Sequence, residues 1–225
     1  MMIGQIFLGG VRRLPVTSSL LAALAAVALF TNSFSQRLSP AWLLRLGYSV
    51  QDLWEWRWGR LLTTALTTHG GSVFWQAMGM VALVVGAAEW LAGSRRAFFT
   101  FWGSHVATLL LTSLLVMPAL HWLVYDGESM LLVAHDVGPS AGYFGCLGLA
   151  VVWLPLAARW RGVTAVLIWT GLVITLLQPP APGALHTLKL IADLAHLVAF
   201  PLGLLAGWWL ARQPVTPWAQ QRGPA

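Results

Sequence analysis

Six long stretches of this chain are nearly free of charge. They lie at roughly 16–34, 72–92, 97–119, 140–158, 162–178 and 190–211, and only Glu89 and Asp193 carry a formal charge inside them. A run of about 20 apolar residues is what an α-helix needs to cross the roughly 30 Å hydrocarbon layer of a bilayer. Within lipid, every backbone N–H and C=O must be satisfied inside the protein, so runs of this kind cross as helices. The spacing therefore predicts an all-α membrane protein with six transmembrane helices. Composition points the same way: 58% of the 225 residues are hydrophobic and 9% charged, against roughly 25% charged in soluble domains. A water-soluble enzyme, a disordered chain and a coiled coil are excluded. Residues 1–225 are expected to form a single membrane domain with its core at about 45–211, and the Pro- and Gly-bearing stretch 213–225 to be a disordered tail. The single Cys146 has no partner for an internal disulfide.

Charge placement sets the orientation. Arg12 and Arg13 precede the first run, Arg95 and Arg96 separate the second and third, Arg159 and Arg161 the fourth and fifth, and Arg212 and Arg222 follow the last. Asp52, Glu55, Asp126, Glu128 and Asp136 all fall on the other side, with Arg37, Arg45, Arg57, Arg60 and Lys189. Basic residues stay cytoplasmic when they flank spans in short loops, so both termini are predicted inside a plasma membrane, the bacterial inner membrane in such a setting. This topology accounts for the net charge of +6 without a nucleic-acid partner. The first run also reads as a cleavable signal peptide, with its basic start and small residues, but its length and the absence of a soluble domain after it favour a span. The first outer loop holds Trp42, Trp54, Trp56 and Trp58 among charged residues. Indole rings favour the headgroup layer, so this Trp-rich loop is expected to lie in the interface, either as an anchor or as part of a site.

Ionisable and nucleophilic side chains are rare inside membranes and mark candidate sites. Ser140 opens the fourth run in Gly138-Pro139-Ser140-Ala141-Gly142. It reads either as an N-cap or as a nucleophile beside the free N–H groups and positive end of a helix, with Gly138 and Pro139 as supporting positions. His196 lies in the outer part of the sixth run, which also runs inward. His196, Ala199, Gly203 and Gly207 share one helical face, and Ala141, Gly145 and Gly148 offer a matching small face on the fourth run. Small residues let two helix backbones approach closely, bringing hydroxyl and imidazole together as a nucleophile–base pair requires. Asp193, three residues before His196, reads as a group that orients the imidazole or as a hydrated interfacial carboxylate. His105 in the third run suits an interhelical hydrogen bond. His-Glu-x-x-His is absent, and neither a metal nor another cofactor is expected.

At these residues the sequence resembles the rhomboid family of intramembrane serine proteases. That family carries Gly-x-Ser-Gly at the start of its fourth span and His-x-x-Gly-x-x-x-Gly on its sixth. Gly138, Ser140 and Gly148 match the first pattern with Ala141 in place of Gly, and His196 and Gly203 match the second with Ala199 in place of Gly. Trp58-Gly59-Arg60-Leu61-Leu62-Thr63 is similar to the family's Trp-Arg-x-x-Thr stretch with one residue inserted, and Glu89 to its structural Glu, which ties a loop or helix end. The resemblance covers about 45–211. It implies a six-helix rhomboid-like bundle in which Ser140 and His196 cleave transmembrane segments of protein substrates. The family's His-x-x-x-Asn on the second span, which stabilises the oxyanion, is missing, and a one-residue shift puts Ser72 and Gln76 there instead. This departure keeps a second reading open, a catalytically inactive rhomboid-like protein that binds membrane-protein clients. A small transporter using Asp193 and His196 is a third.

Overall fold

The computed structural model describes residues 14–124, 130–179 and 186–213, and every described element is helical. Arg12, Arg13, Asp126, Glu128, Arg222 and nearly all of the expected tail lie outside the described residues. Helix α1 spans Pro15–Phe30. Short helices α2 (Pro40–Leu46), α3 (Gln51–Trp54) and α4 (Arg60–Thr63) lie in the connection that follows it. Helix α5 is Ser72–Ala92. Helix α6 starts as Ser94–Leu111 and continues through a π turn at Thr112–Val116 into Met117–Val124. After the short α7 (Met130–Val133) come α8 (Ser140–Trp153), α9 (Ala158–Leu177) and α10 (His186–Ala211).

Each of the six apolar runs forms a helix, and four of these, α5, α6, α9 and α10, are long and apolar enough to cross a membrane. The chain is a multi-pass membrane protein by that measure. The other two, α1 and α8, are shorter apolar helices of 16 and 14 residues. At about 1.5 Å per residue, 14 residues rise about 21 Å, some 9 Å short of a 30 Å hydrocarbon layer. The cause is local. Helix α8 stops at Trp153 with Leu154 extended, as the residue before a proline prefers, and Pro155 follows. Helix α1 ends in a Schellman turn: Asn32 takes a left-handed φ of 54°, and the N–H of Ser33 returns to the Ala28 carbonyl at 2.8 Å. Its other end is held by Glu89 of α5, whose carboxylate accepts from the N–H groups of Val16 and Thr17 at 3.0 and 2.8 Å and from the Thr17 hydroxyl at 2.7 Å. An acceptor there satisfies two of the free donors of a helix start, so Glu89 ties a helix end as the resemblance implies.

The short α8 is the central helix, enclosed by α5, α6 and α10. Its buried residues are mostly small, among them Ala141, Gly142, Gly145, Gly148 and Ala150. A Cβ on Gly203 would collide with the carbonyl of Gly145, and one on Gly148 with the backbone of Phe200 and Leu204. Helices α8 and α10 therefore meet backbone to backbone. A Cβ on Gly207 would lie 3.1 Å from Val152, which continues the contact inward, and Ala199 is fully buried. Gly145 is pressed from its other side by Ser104 of α6. Large apolar side chains such as Trp75, Leu83, Trp90, Phe99, Leu167 and Trp209 point outward. Such a surface suits lipid and would drive aggregation in water.

This geometry makes a graded prediction. Gly203→Val should lower unfolding free energy in detergent by about 3 kcal/mol or more, because overpacking against rigid backbone cannot relax. Gly171→Ala in α9, where a Cβ meets nothing within 4 Å, should be neutral or slightly stabilising, since alanine is the better helix former. Thermal melts of the two variants check both signs.

Candidate active site

The connection between α1 and α5 folds onto the segment that precedes Ser140. Tyr48 and Asp136 exchange both backbone hydrogen bonds at 3.0 Å. The Thr64 hydroxyl donates to the Asp136 carbonyl at 2.9 Å, and the N–H of Gly138 to the Thr64 carbonyl at 3.0 Å. Two hairpin-like contacts also tie Arg37 to Gly70 and Leu38 to His69. Gly70 has φ 78°, and a Cβ there would strike the Gln36 carbonyl, so only glycine fits.

Beneath these contacts lies Asp52, 1% exposed. Its carboxylate accepts from Arg60 at 2.6 Å, Arg57 at 3.3 Å, and the N–H and hydroxyl of Ser49 at 2.8 and 3.1 Å. His135 closes the cluster, 3.2 Å from Arg60 and 3.8 Å from Asp52. His69 pairs with Asp136 at 3.0 Å. Burial works against ionisation of Asp52, but the Ser49 N–H and the Arg60 guanidinium outweigh it and hold the carboxyl below its ordinary value. Burial pushes the Tyr48 phenol up to about 12, so its hydroxyl stays protonated against Ser113 at 2.8 Å. Trp54, Trp56 and Trp58 stand exposed on the same loop.

Ser140 is the first residue of α8, and the N-cap position belongs to Pro139, which offers no capping side chain. The N-cap reading of Ser140 is thus corrected. Proline at the cap leaves the serine hydroxyl unengaged, and it bonds to no described residue. Pro139 is buried, and its carbonyl accepts the first helical bond from Tyr143 at 3.0 Å. Ser140 and Ala141 line a cavity of about 40 Å³ together with Gly138, Tyr48, Thr64, His105, Asp136 and, from α10, Ile191 and Ala195. That is room for roughly two or three waters.

His196 follows Ala195 on α10. Its ring lies 4.3 Å from that of Phe144, with 36° between the planes, and Phe144 is one helical turn beyond Ser140. Nε2 of His196 is buried without a hydrogen-bond partner among the described residues. Asp193 lies 4.0 Å from its Nδ1, beyond hydrogen-bond length. The carboxylate is engaged instead by Lys189 at 2.5 Å, which also donates to the Thr175 carbonyl at the end of α9, at 2.6 Å. Of the two readings of Asp193, the structure shows no hydrogen bond to the imidazole: Lys189, one turn back, holds the carboxylate.

Ser72 and Gln76 do not join this group. Both are exposed, while Phe74, Ala77, Val81, Val85 and Ala88 form the buried stripe of α5. Residues four apart share a helix face, and the face of Ser72 and Gln76 is the one that also carries the exposed Trp75, Leu83 and Trp90. Helix α6 contributes polar groups to the interior instead. Its buried face carries Thr100, Ser104, His105, Thr108, Thr112 and Ser113. The i, i+4 and i+3 spacing of Ser104, Thr108 and Thr112 with His105 between them is a signal that could have identified this wall from sequence. Among the described residues, no group of His, Cys, Asp and Glu side chains is arranged to hold a metal. Compared with protein-family models, curated proteins and solved structures, the chain gives no match.

The Asp52 cluster yields a pH test. A carboxyl whose folded-state pKa is depressed contributes stability that is present above its ordinary value, near 3.8, and is lost as pH falls below that through the folded-state value. The melting temperature of the wild-type chain should therefore drop below about pH 4 more steeply than that of Asp52→Asn. At neutral pH the variant should be less stable by about 3 kcal/mol, because Arg60 loses its buried partner. Equal acid sensitivity of the two proteins contradicts the assignment.

Proposed function

We propose that this chain is a rhomboid-type intramembrane serine endopeptidase, a six-helix bundle with cytoplasmic termini in a plasma membrane, acting on transmembrane segments of other proteins. One observation carries this reading. Where α8 and α10 touch through glycine, the Ser140 hydroxyl and the His196 Nε2 are both unengaged, at the same end of the contact. A buried imidazole nitrogen with no partner among the described residues, as at His196, is costly, and a nucleophile–base pair awaiting substrate is a function that retains it.

In this reading Ser140 Oγ forms a bond to the scissile carbonyl carbon while His196 Nε2 takes the hydroxyl proton. The oxyanion faces the free N–H groups at the start of α8. As the C–N bond breaks, His196 returns the proton to the departing amine, and water then releases the acyl group. For this, Nε2 is the unprotonated nitrogen and Nδ1 carries the hydrogen, on the side of Asp193. The short rise of α8 sets Ser140 below the outer surface, and the polar cavity above it admits water. With Ser72 and Gln76 facing outward, the oxyanion relies on backbone donors, and loss of one side-chain donor typically costs about 10²–10³ in rate. The exposure of Ser72 and Gln76 favours one rival, a non-catalytic protein that binds membrane-spanning clients.

Purified protein should be labelled by a fluorophosphonate probe at Ser140, with no labelling in Ser140→Ala and a rate lower by about 10³-fold or more in His196→Ala. Labelling that survives Ser140→Ala refutes the protease reading, and clients that co-purify uncleaved with an unlabelled protein establish the rival. Phe144→Ala should slow labelling about tenfold or more, because the imidazole loses the ring that fixes its plane. An unchanged rate shows that the stack has no role in orienting His196.

A further inference from the structure

A second cavity, of about 340 Å³, lies away from Ser140, between α1 and α6. That volume falls within the roughly 300–1,000 Å³ of pockets that hold a ligand. Val16, Ser19, Leu20 and Ala23 form its α1 wall, and Phe98 and Trp102 its α6 wall. It follows α1 from Pro15 to Ala23, about 12 Å of helix rise. Ser19 and Phe98 are exposed, so the groove opens sideways on the apolar surface. Apolar walls keep water out, and within a bilayer the apolar matter at hand is an acyl chain.

The charge at one end of the groove selects the lipid. Val16 donates to Glu89 of α5, so the start of α1 lies near the Gly93 turn that joins α5 to α6. Arg95 is the second residue of α6. Its guanidinium lies 5.9 Å from the centre of the Phe99 ring, and that ring meets Phe98 of the groove wall edge-on at 5.5 Å. Arg95, Phe98 and Trp102 also follow one another at spacings of three and four, a single stripe of the helix. Arg95 is exposed, and among the described residues no carboxylate pairs with it. Arg96 and Arg161, by contrast, donate to the carbonyls of Ala92 and Val152 at 3.1 and 2.6 Å. Glu89 is buried and engaged by Val16 and Thr17. The start of α6 and the start of α9 thus bring Arg95, Arg96, Arg159 and Arg161 to the end of the bundle opposite Ser140 with no free carboxylate described beside them.

We infer that the groove between α1 and α6 binds an anionic phospholipid, one acyl chain lying along Val16, Leu20 and Trp102 and the phosphate meeting Arg95. A guanidinium donates paired N–H groups to a phosphate in matched geometry. The surrounding arginines favour a lipid of net negative charge over a zwitterionic one. The inference is independent of the chemistry at Ser140 and requires only that α5 and α6 cross a bilayer. It gives Arg95 the counter-charge that its described neighbours do not.

Photolabelling in vesicles tests this. Full-length protein is reconstituted in phosphatidylcholine containing phosphatidylglycerol that carries a diazirine in mid-chain, and the adducts are mapped by peptide mass spectrometry after irradiation. They should concentrate on Ser19–Ala23 and Phe98–Trp102, and unlabelled phosphatidylglycerol, but not added phosphatidylcholine, should compete them away. In Arg95→Gln their yield should fall about fivefold, the worth of one cation beside an anionic surface. Arg159→Gln removes the same charge at the start of α9 and should leave the yield near wild type. Ser19→Phe fills the groove, so adducts on Phe98 and Trp102 should disappear while those on Leu167, exposed on α9, persist. Arg95 and Ser19 are both exposed, so neither substitution empties the core. Equal yields in Arg95→Gln and Arg159→Gln, equal competition by the two lipids, or adducts no denser in the groove than on Leu167 overturn the inference. So does a groove that is labelled only once residues 1–13 are deleted, since that result assigns it to a segment of the chain itself.

Discussion

The contact on which this molecule depends is between two helix backbones. Gly145 and Gly148 of α8 meet Phe200, Gly203 and Leu204 of α10 with no side chain between them. In a bilayer, apolar side chains gain little by turning inward, because lipid tails are as apolar as leucine. Close packing and polar contacts carry helix association instead, and the glycine junction supplies the first. It also sets the register: once Gly203 is seated on Gly145, Phe144 lies against His196, and Ser140 and Ala195 share one cavity wall.

The polar side of the fold is built at the end of the helices where Ser140 lies. Asp52, Arg60 and His135, with the paired backbones of Tyr48 and Asp136, clamp the loop before α8 onto the loop before α5. This clamp fixes the segment that carries Pro139 and Ser140 at the head of the 14-residue α8. The start of that helix lines a small cavity beside a hydrogen-bonded loop. The same clamp accounts for Asp52, which is buried and paired with Arg60 and Arg57, while Trp54, Trp56 and Trp58 on the same segment are exposed.

Much of this was legible in the sequence because helical periodicity reports directly on faces. His196, Ala199, Gly203 and Gly207 share a stripe at spacings of three and four, and that stripe is the one α8 packs against. The six apolar runs appear as six helices, though the fourth stops at Trp153, where Pro155 could have been read as a stop signal. Ser72 and Gln76 were misplaced because a spacing of four preserves a face without saying which face is inward; both faces of α5 are apolar, and the smaller side chains from Ala77 to Ala88 turn in while Trp75, Leu83 and Trp90 turn out. Lys189 was a readable partner for Asp193, four residues away on one helix. The Asp52 cluster was not readable: it joins residues near 50–60 to His135 across some 75 positions, and only the closed fold brings them together.

The central claim, that the glycine junction sets Ser140 beside His196, is open to a direct distance measurement. In a Cys146→Ala background, Ser140→Cys is paired either with His196→Cys or with Leu205→Cys, an exposed position more than two turns deeper on α10. The shortest bifunctional methanethiosulfonate reagent is then applied in native membranes, and the linked product is identified by intact mass. The account predicts rapid linkage of the 140–196 pair and none of the 140–205 pair. Failure to link 140 with 196, while each cysteine alone reacts with a monofunctional reagent, would contradict it.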